Sequence, residues 1–170
     1  MKKMLYVALI VLAVLAGVGV CCGQQVKSKA FQLMIDTLLS HSVTEITVDQ
    51  AVALPDDVLF LDAREEKEFK VSRIADAQWV GFNDFDTSRV ANINKDRPVV
   101  VYCSVGYRSE KVSEQLEAAG FTNVSNLYGG IFEWKNSGQP VVNKKGETEK
   151  VHAYDRVWGI WLNEGKKVFK

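Results

Sequence analysis

Cysteine and histidine are scarce in this chain of 170 residues, which contains three cysteines and two histidines. Because these residues form no cluster with the spacing of a metal site, and neither His41 nor His152 lies in a recognisable catalytic motif, we expect no metal and no cofactor. The formal net charge is zero, which argues against a basic surface that binds nucleic acid. No internal repeat or low-complexity stretch interrupts the chain, so we expect one domain with its own core.

The longest uncharged stretch lies near the N-terminus, where two lysines precede an apolar run from Leu5 to Val20. A short basic segment, an apolar run and then small residues are typical of an export signal. The same stretch is almost long enough to span a bilayer, so residues 1–23 are either a signal peptide or a membrane or lipid anchor. In each case we expect the rest of the chain to be exported, and to lie in the periplasm or on the outer face of the membrane.

Since Cys21 and Cys22 end this stretch, Cys103 is the lone cysteine of the predicted domain and has no disulfide partner there. It follows the β-branched run 98–102 and precedes a helical pattern, which predicts a strand, a loop and a helix. At a helix N-terminus, unpaired N–H groups and the helix dipole favour an anion, and Arg108 adds a positive charge. This arrangement is typical of a nucleophilic thiolate, whereas the alternative is an inert cysteine in the core.

Short apolar runs alternate with helical patterns along the chain, which predicts an α/β domain with a mostly parallel sheet. The predicted strands are 45–48, 58–61, 77–80, 98–102 and 124–127. The predicted helices are 47–54, 65–70, 86–93, 109–119 and 131–136, with Phe69 as the inward residue of the second. Because sites in parallel sheets form at the carboxyl ends of strands, we expect Asp62 and Cys103 to lie near each other.

The segments on either side of this pattern are also predicted to contain helices. Residues 24–43 have apolar side chains at helical spacing, which indicates either a spacer helix or a helix packed on the domain. Residues 143–170 are interpreted as a polar linker, 144–150, followed by an aromatic helix, because apolar residues recur at Tyr154, Val157, Trp158 and Trp161. That helix either covers the sheet or presents a docking surface to a protein partner.

Several sequence pieces occur in order along the chain: Leu61-Asp62-Ala63-Arg64-Glu65 with Glu68-Phe69, the strand and loop around Cys103, Leu127 to Trp134, and Gly138-Gln139-Pro140. Together they resemble a single-domain rhodanese over residues 44–142. The resemblance implies a three-layer α/β fold with a central, mostly parallel sheet flanked by helices. It also implies sulfur transfer, in which a cysteine takes the outer sulfur of a donor such as thiosulfate as a persulfide and passes it to a thiol or cyanide acceptor.

Carried over by position, the resemblance implies that Cys103 is the catalytic sulfur carrier. The residues that surround the persulfide and bind the substrate are then Ser104, Val105, Gly106, Tyr107, Arg108 and Ser109. Arg108 either guides an anionic donor or pairs with an acidic neighbour and holds the loop. Asp62 and Arg64 are expected to support loops near the site rather than to take part in the chemistry.

One piece departs from the resemblance, because the usual Gly-His-Ile-Pro-Gly-Ala reads Ser-Arg-Ile-Ala-Asp-Ala at residues 72–77. Arg73 therefore either brings a second positive charge towards the site or is solvated. A cysteine phosphatase is a first alternative function, but its loop has five residues between cysteine and arginine, whereas four separate Cys103 from Arg108 here. The second alternative is a non-catalytic or partner-specific persulfide carrier or redox module of the cell envelope. An inactive binding module is a third, against which the intact cysteine and loop argue.

Overall fold

The computed structural model describes residues 26–169 of the chain. The predicted signal peptide or anchor, residues 1–23, lies outside this range, so export stays a prediction. Among the helices within the described range, none is long and apolar enough to cross a membrane.

A central sheet of five parallel strands organises the domain. The strands are β1 (Glu45–Ile46), β2 (Leu59–Asp62), β3 (Gln78–Trp79), β4 (Val99–Tyr102) and β5 (Val124–Leu127). Their spatial order is β1-β5-β4-β2-β3, and every neighbouring pair is parallel. The central strand β4 is buried along its whole length, as expected for a β-branched strand that is covered on both faces.

Helices cover both faces of this sheet. They are α1 (Lys29–Leu38), α2 (Val48–Val52), α3 (Glu66–Val71), α4 (Tyr107–Ala118) and α5 (Gly130–Asn136), with 3-10 turns at Thr87–Val90 and Trp158–Trp161. Successive side chains of β4 point to opposite faces. Val100 and Tyr102 belong to the core that contains residues of α1, α2 and α5, whereas Val99 and Val101 pack with α4 and the first 3-10 turn. The predicted three-layer α/β arrangement is confirmed.

Helix α1 packs on the domain, which is the second of the two alternatives for residues 24–43. Its Phe31 and Ile35 are completely buried. The Phe31 ring stacks on Trp161 from the C-terminal segment, with the ring centroids 5.4 Å apart. The two ends of the described chain therefore pack against each other.

The C-terminal segment differs from the predicted linker and helix. Its strands are β6 (Val141–Asn143), β7 (Gly146–Thr148), β8 (Lys150–His152) and β9 (Lys166–Val168). Strands β6 and β7 form an antiparallel hairpin, and β8 pairs in parallel with β9. The predicted aromatic helix is wrong, because Tyr154 has a φ of +63° that an α-helix does not allow. Asp155 then accepts the N–H groups of Val157 and Trp158 through Oδ1, which caps a single turn.

Candidate active site

Cys103 lies directly after β4, at the carboxyl edge of the sheet. The loop that follows turns at Gly106, whose φ of +120° favours glycine, and α4 begins at Tyr107. The backbone N–H of Gly106 donates to Cys103 Sγ at 3.2 Å. Cys103 is 1% exposed, and its sulfur lies at the N-terminus of a helix, where the dipole favours negative charge. The predicted strand, loop and helix are confirmed.

The loop around Cys103 presents backbone donors that the fold does not use. Within residues 26–169, no group accepts a hydrogen bond from the backbone N–H of Ser104, Val105, Tyr107, Arg108 or Ser109. The last three begin α4, and the first N–H groups of a helix have no acceptor inside it. A run of such amides forms an anion-binding concavity. It is therefore suited to hold a thiolate, or a sulfur anion bound to it.

Helix α5 fastens the opposite side of the loop. The N–H of Ile131 donates to the Cys103 carbonyl at 2.9 Å, and the N–H of Phe132 donates to the Ser104 carbonyl at 3.1 Å. Gly130 makes this approach possible, because a Cβ there would lie 2.5 Å from the Cys103 oxygen and 2.7 Å from the Ser104 carbonyl carbon. The loop carbonyls are thus turned towards α5.

Gly130→Ala is expected to displace the loop and to lower the free energy of unfolding by roughly 3 kcal/mol, because its Cβ would meet backbone atoms. Gly138→Ala is the matched control, since Gly138 also has a positive φ (+82°), but a Cβ added there would meet no atom of the described residues within 4 Å. Its cost is expected to be about 1 kcal/mol, from the backbone conformation alone. Urea denaturation measures both losses, and equal losses would contradict the close approach of α5.

The Ser109 side chain lies behind the loop rather than in front of the sulfur. Its Oγ lies 3.0 Å from the Gly106 carbonyl oxygen and 2.7 Å from Asn126 Oδ1. Asn126 Nδ2 also donates to the Gly106 carbonyl, at 3.0 Å. This buried network fixes the orientation of the peptide that precedes α4, so Ser109 offers its backbone N–H to the site and supports the loop with its hydroxyl.

Arg108 is paired with a carboxylate inside the site. Its Nη1 and Nη2 donate to the two carboxylate oxygens of Glu68 at 2.8 and 3.0 Å, and Nη2 lies 3.0 Å from Ser104 Oγ. Glu68 is fully buried. Burial alone would raise the pKa of Glu68, but the hydrogen bonds and charge of Arg108 outweigh it and hold that pKa below its usual range. The ionised pair is neutral overall, which matches the alternative that Arg108 holds the loop.

Asp62 and Arg64 form a second ion pair, and both side chains are fully buried. Arg64 Nη2 lies 2.6 Å from Asp62 Oδ2 and donates to the Ser72 carbonyl at 2.6 Å. Strands β2 and β4 are neighbours, and Asp62 lies opposite Tyr102 in the register. Asp62 thus lies at the end of the strand next to β4, opposite the residue that precedes Cys103, as expected.

A cavity of about 620 Å³ opens onto Cys103. Five of its lining residues belong to the predicted loop: Cys103, Ser104, Val105, Tyr107 and Arg108. The others come from elsewhere in the chain: Leu38, Glu65, Lys67, Phe82, Asn83, His152, Tyr154 and Trp158. The other predicted site residues do not line the cavity and support the surrounding backbone instead: Gly106, Ser109, Asp62 and Arg64. The volume lies in the range of sites that take small organic molecules.

The family model for the rhodanese-like domain matches residues 47–137, more than half of the chain. The chain belongs to the rhodanese-like family. A relative named sulfurtransferase from Allochromatium vinosum is 36% identical over 106 residues, which cover 62% of this chain and 98% of that protein. This relative, named a sulfurtransferase, is thus matched over almost its whole length.

Other matches extend to larger proteins and to solved structures. A tRNA uridine(34) hydroxylase from Photorhabdus laumondii is 34% identical over 94 residues, which cover 50% of this chain and 27% of that protein. The crystal structure of a thiosulfate sulfurtransferase from Pseudomonas aeruginosa superposes with a TM-score of 0.54 at 24% identity, over 70% of this chain and 23% of that one. A Bacillus halodurans protein gives a TM-score of 0.55 at 20% identity, over 69% of this chain and 86% of that one. These two structures support the rhodanese-like fold alone.

Residues 72–77 differ from the usual rhodanese sequence, but the positive charge that this difference introduces, on Arg73, does not enter the Cys103 cavity. The Arg73 guanidinium lies over the Phe69 ring, 4.7 Å from its centroid. Its backbone exchanges hydrogen bonds of 2.8 Å with Val142. Arg73 does not line the cavity, which argues against a second positive charge at the site, and it is half-buried and therefore only partly solvated.

Sequence reasoning missed Glu68 and took Phe69 as the inward residue of α3. That prediction was wrong, since Glu68 is fully buried whereas Phe69 is half-buried. A carboxylate tolerates this position because Arg108, forty positions away in sequence, neutralises it. Reasoning from sequence also missed Leu38 and His152 as cavity residues, and it assigned Tyr154 and Trp158 to a helix that covers the sheet or docks a partner. All four reach the cavity from segments outside the matched domain.

Proposed function

We propose that this rhodanese-like protein moves sulfane sulfur from a thiosulfate-like donor to a thiol or cyanide acceptor through a persulfide on Cys103. The observation that carries this proposal is the buried Cys103 sulfur, which accepts the N–H of Gly106 and precedes a loop whose other backbone N–H groups have no acceptor in residues 26–169. Membership of the rhodanese-like family and the similarity to the Allochromatium vinosum sulfurtransferase support sulfur transfer as the class of reaction.

The proposed reaction has two steps, each centred on a negatively charged sulfur. In the first, the Cys103 thiolate attacks the sulfane sulfur of thiosulfate, the S–S bond breaks, and its electron pair leaves on sulfite. In the second, the acceptor attacks the outer sulfur of the persulfide, and the Cys103 thiolate is regenerated. Fixed backbone donors stabilise both sulfur anions without themselves changing protonation.

The burial of Cys103 favours small molecules over a folded partner as substrates. The residue is 1% exposed and is reached through a cavity of about 620 Å³. A protein partner would have to insert a side chain into this cavity. Two aromatic residues of the predicted docking segment, Tyr154 and Trp158, line the cavity, and Trp161 stacks on Phe31. These contacts make a partner-specific carrier the weaker alternative.

Thiocyanate formation from thiosulfate and cyanide tests the proposed activity directly. The purified protein is expected to give turnover that saturates with thiosulfate. Release of nitrophenol from nitrophenyl phosphate tests the phosphatase alternative in parallel, and no release is expected. Phosphate ester hydrolysis without thiocyanate formation would contradict the proposal.

Arg108→Met is expected to destabilise the fold by about 3 kcal/mol, because it leaves the buried Glu68 carboxylate without its cation. Adding Glu68→Gln is expected to restore most of that stability, since no unpaired charge then remains. Because Arg108 also lines the cavity, we propose that it donates one hydrogen bond to the anionic sulfur donor as well. In this double variant the KM for thiosulfate is therefore expected to rise about tenfold, the value of one hydrogen bond to a charged group.

Urea denaturation and steady-state kinetics on the single and double variants separate these two effects. An unchanged KM in the double variant would contradict a contact between Arg108 and the anion, and would leave Arg108 with the structural role alone.

We also propose that the protein is exported and works in the periplasm or on the outer face of the membrane. The basic and apolar pattern of residues 1–23 supports this. Fractionation of cells that express the full chain is expected to recover it outside the cytoplasm, and recovery in the cytoplasm alone would contradict export.

A further inference from the structure

His152 lines the Cys103 cavity although it lies on β8, outside residues 47–137 that match the family. The residue is 1% exposed. Its Nδ1 accepts the backbone N–H of Tyr154 at 3.1 Å. Its Nε2 is buried and has no hydrogen-bond partner in the described part of the chain. A buried donor without a partner is costly, so this ring nitrogen needs an explanation.

The backbone of Tyr154 fixes the protonation of this ring. Because Nδ1 accepts a hydrogen bond, the proton of the neutral imidazole is on Nε2. Tyr154 has a φ of +63°, which is a strained conformation for a tyrosine. In this conformation its backbone N–H donates to Nδ1 of His152. The chain thus holds His152, a residue of the cavity wall, with its proton on the buried Nε2.

Burial is the main reason why the His152 ring is neutral. Burial lowers the pKa of His152; Glu68 opposes this shift, whereas Lys67, Arg64 and Arg108 add to it. The net result is a pKa below the ordinary value, so that the imidazole is an uncharged donor near neutral pH. Two cations line the cavity, Lys67 and Arg108, and Arg108 is already paired with Glu68, whereas the Nε2 of His152 has no partner among the described residues. His152 is therefore an uncommitted donor on this wall.

We infer that His152 contacts the sulfur donor, and that its Nε2–H donates a hydrogen bond to an oxygen of the SO₃ group of thiosulfate bound in front of Cys103. This inference rests on the proposed function. As the Cys103 thiolate attacks the sulfane sulfur, the S–S bond breaks and its electron pair leaves on sulfite, whose oxygens gain negative charge. The Nε2–H stabilises that charge and keeps its proton throughout, so no proton transfer is needed.

Two substitutions separate the proposed donor from the structural role of the ring. His152→Asn keeps an acceptor at the position of Nδ1 but has no group at Nε2, whereas His152→Gln places an amide N–H near the position of Nε2. Intact mass spectrometry on the full chain follows the loading of Cys103 by thiosulfate. We expect loading to be at least tenfold slower in His152→Asn, and within about threefold of the wild type in His152→Gln.

The second half-reaction distinguishes substrate contact from general damage to the loop. Sulfite has left by that stage, so discharge of a preformed Cys103 persulfide by cyanide is expected to proceed at the wild-type rate in His152→Asn. His41→Asn is the control, because His41 does not line the cavity and pairs with Glu45 at 2.9 Å. It is expected to change neither rate.

Equal slowing of loading and discharge in His152→Asn would overturn the inference and assign His152 a structural role. Unchanged loading in His152→Asn would overturn it too, as would a His152→Gln variant that melts like the wild type and loads as slowly as His152→Asn. Wild-type protein that does not load at all would instead overturn the proposed function, and this inference with it.

Discussion

Cys103→Ala is expected to reduce sulfur transfer from thiosulfate to cyanide by about 10⁴-fold or more, the order of loss seen when a nucleophile is removed. The backbone donors of the loop remain in this variant, but no sulfur is left to carry the transferred atom. Steady-state formation of thiocyanate measures the loss. The fold is expected to persist, because the change removes one small buried atom, and Ile131 and Phe132 still hold the loop through backbone hydrogen bonds to the carbonyls of Cys103 and Ser104.

Thermal unfolding of the same preparation is the control for this prediction. The melting temperature of Cys103→Ala is expected to stay within a few degrees of that of the wild type, in line with about 1 kcal/mol for a small truncation. Cys21 and Cys22 supply a matched chemical control, since their replacement by alanine is expected to leave turnover unchanged. Residual turnover in Cys103→Ala near the wild-type rate would contradict the proposed persulfide route.

Asp62→Ala is expected to lower the free energy of unfolding by about 3–5 kcal/mol, because it leaves the Arg64 guanidinium buried without its carboxylate. Both side chains of this pair are 0% exposed, and the shortest distance between them is 2.6 Å. The carbonyl of Ser72 remains as a partner for Arg64 Nη2 but does not balance its charge. Denaturation in urea measures the loss.

Glu66→Ala is the matched control for the buried pair. Glu66 also pairs with a cation, Lys70, at 2.8 Å, but their side chains are 55% and 65% exposed. Water already solvates these charges, so the expected loss is below about 1 kcal/mol. Equal losses in Asp62→Ala and Glu66→Ala would contradict the structural importance of the buried pair.

The layers of the fold and the position of Cys103 were predictable because both depend on local patterns. The β-branched run before Cys103 forms the central strand β4, and the apolar spacing of Val112 and Leu116 matches the buried side of α4. Gly106 has the left-handed backbone that suits a tight loop. Each of these signals lies within a few residues of the feature that it predicts.

The electrostatic arrangement of the site was not predictable in the same way. Nothing near Glu68 in the sequence indicates that its carboxylate is buried, because the cation that stabilises it, Arg108, lies on a different helix. A charged residue at a buried position is costly in isolation, so reasoning from sequence favoured Phe69 instead. The pairing depends on how α3 and α4 meet at the edge of the sheet.

The C-terminal segment was mispredicted because the spacing of its aromatic residues also fits a helix. In the structure, these residues pack against different neighbours: Trp161 on Phe31, and Tyr154 beside Arg108, whose guanidinium carbon lies 5.3 Å from its ring centroid. The segment thereby completes the Cys103 cavity and brings His152 to its wall. Its placement follows from pairing between β8 and β9, which no local pattern reveals.

Intact mass of the purified protein, after incubation with thiosulfate and then with cyanide, is the decisive test of a persulfide on Cys103. We expect the wild type to gain the mass of one sulfur atom, cyanide to remove it, and Cys103→Ala to gain nothing. A wild type that gains no sulfur, or a Cys103→Ala variant that gains it equally, would contradict transfer through a Cys103 persulfide.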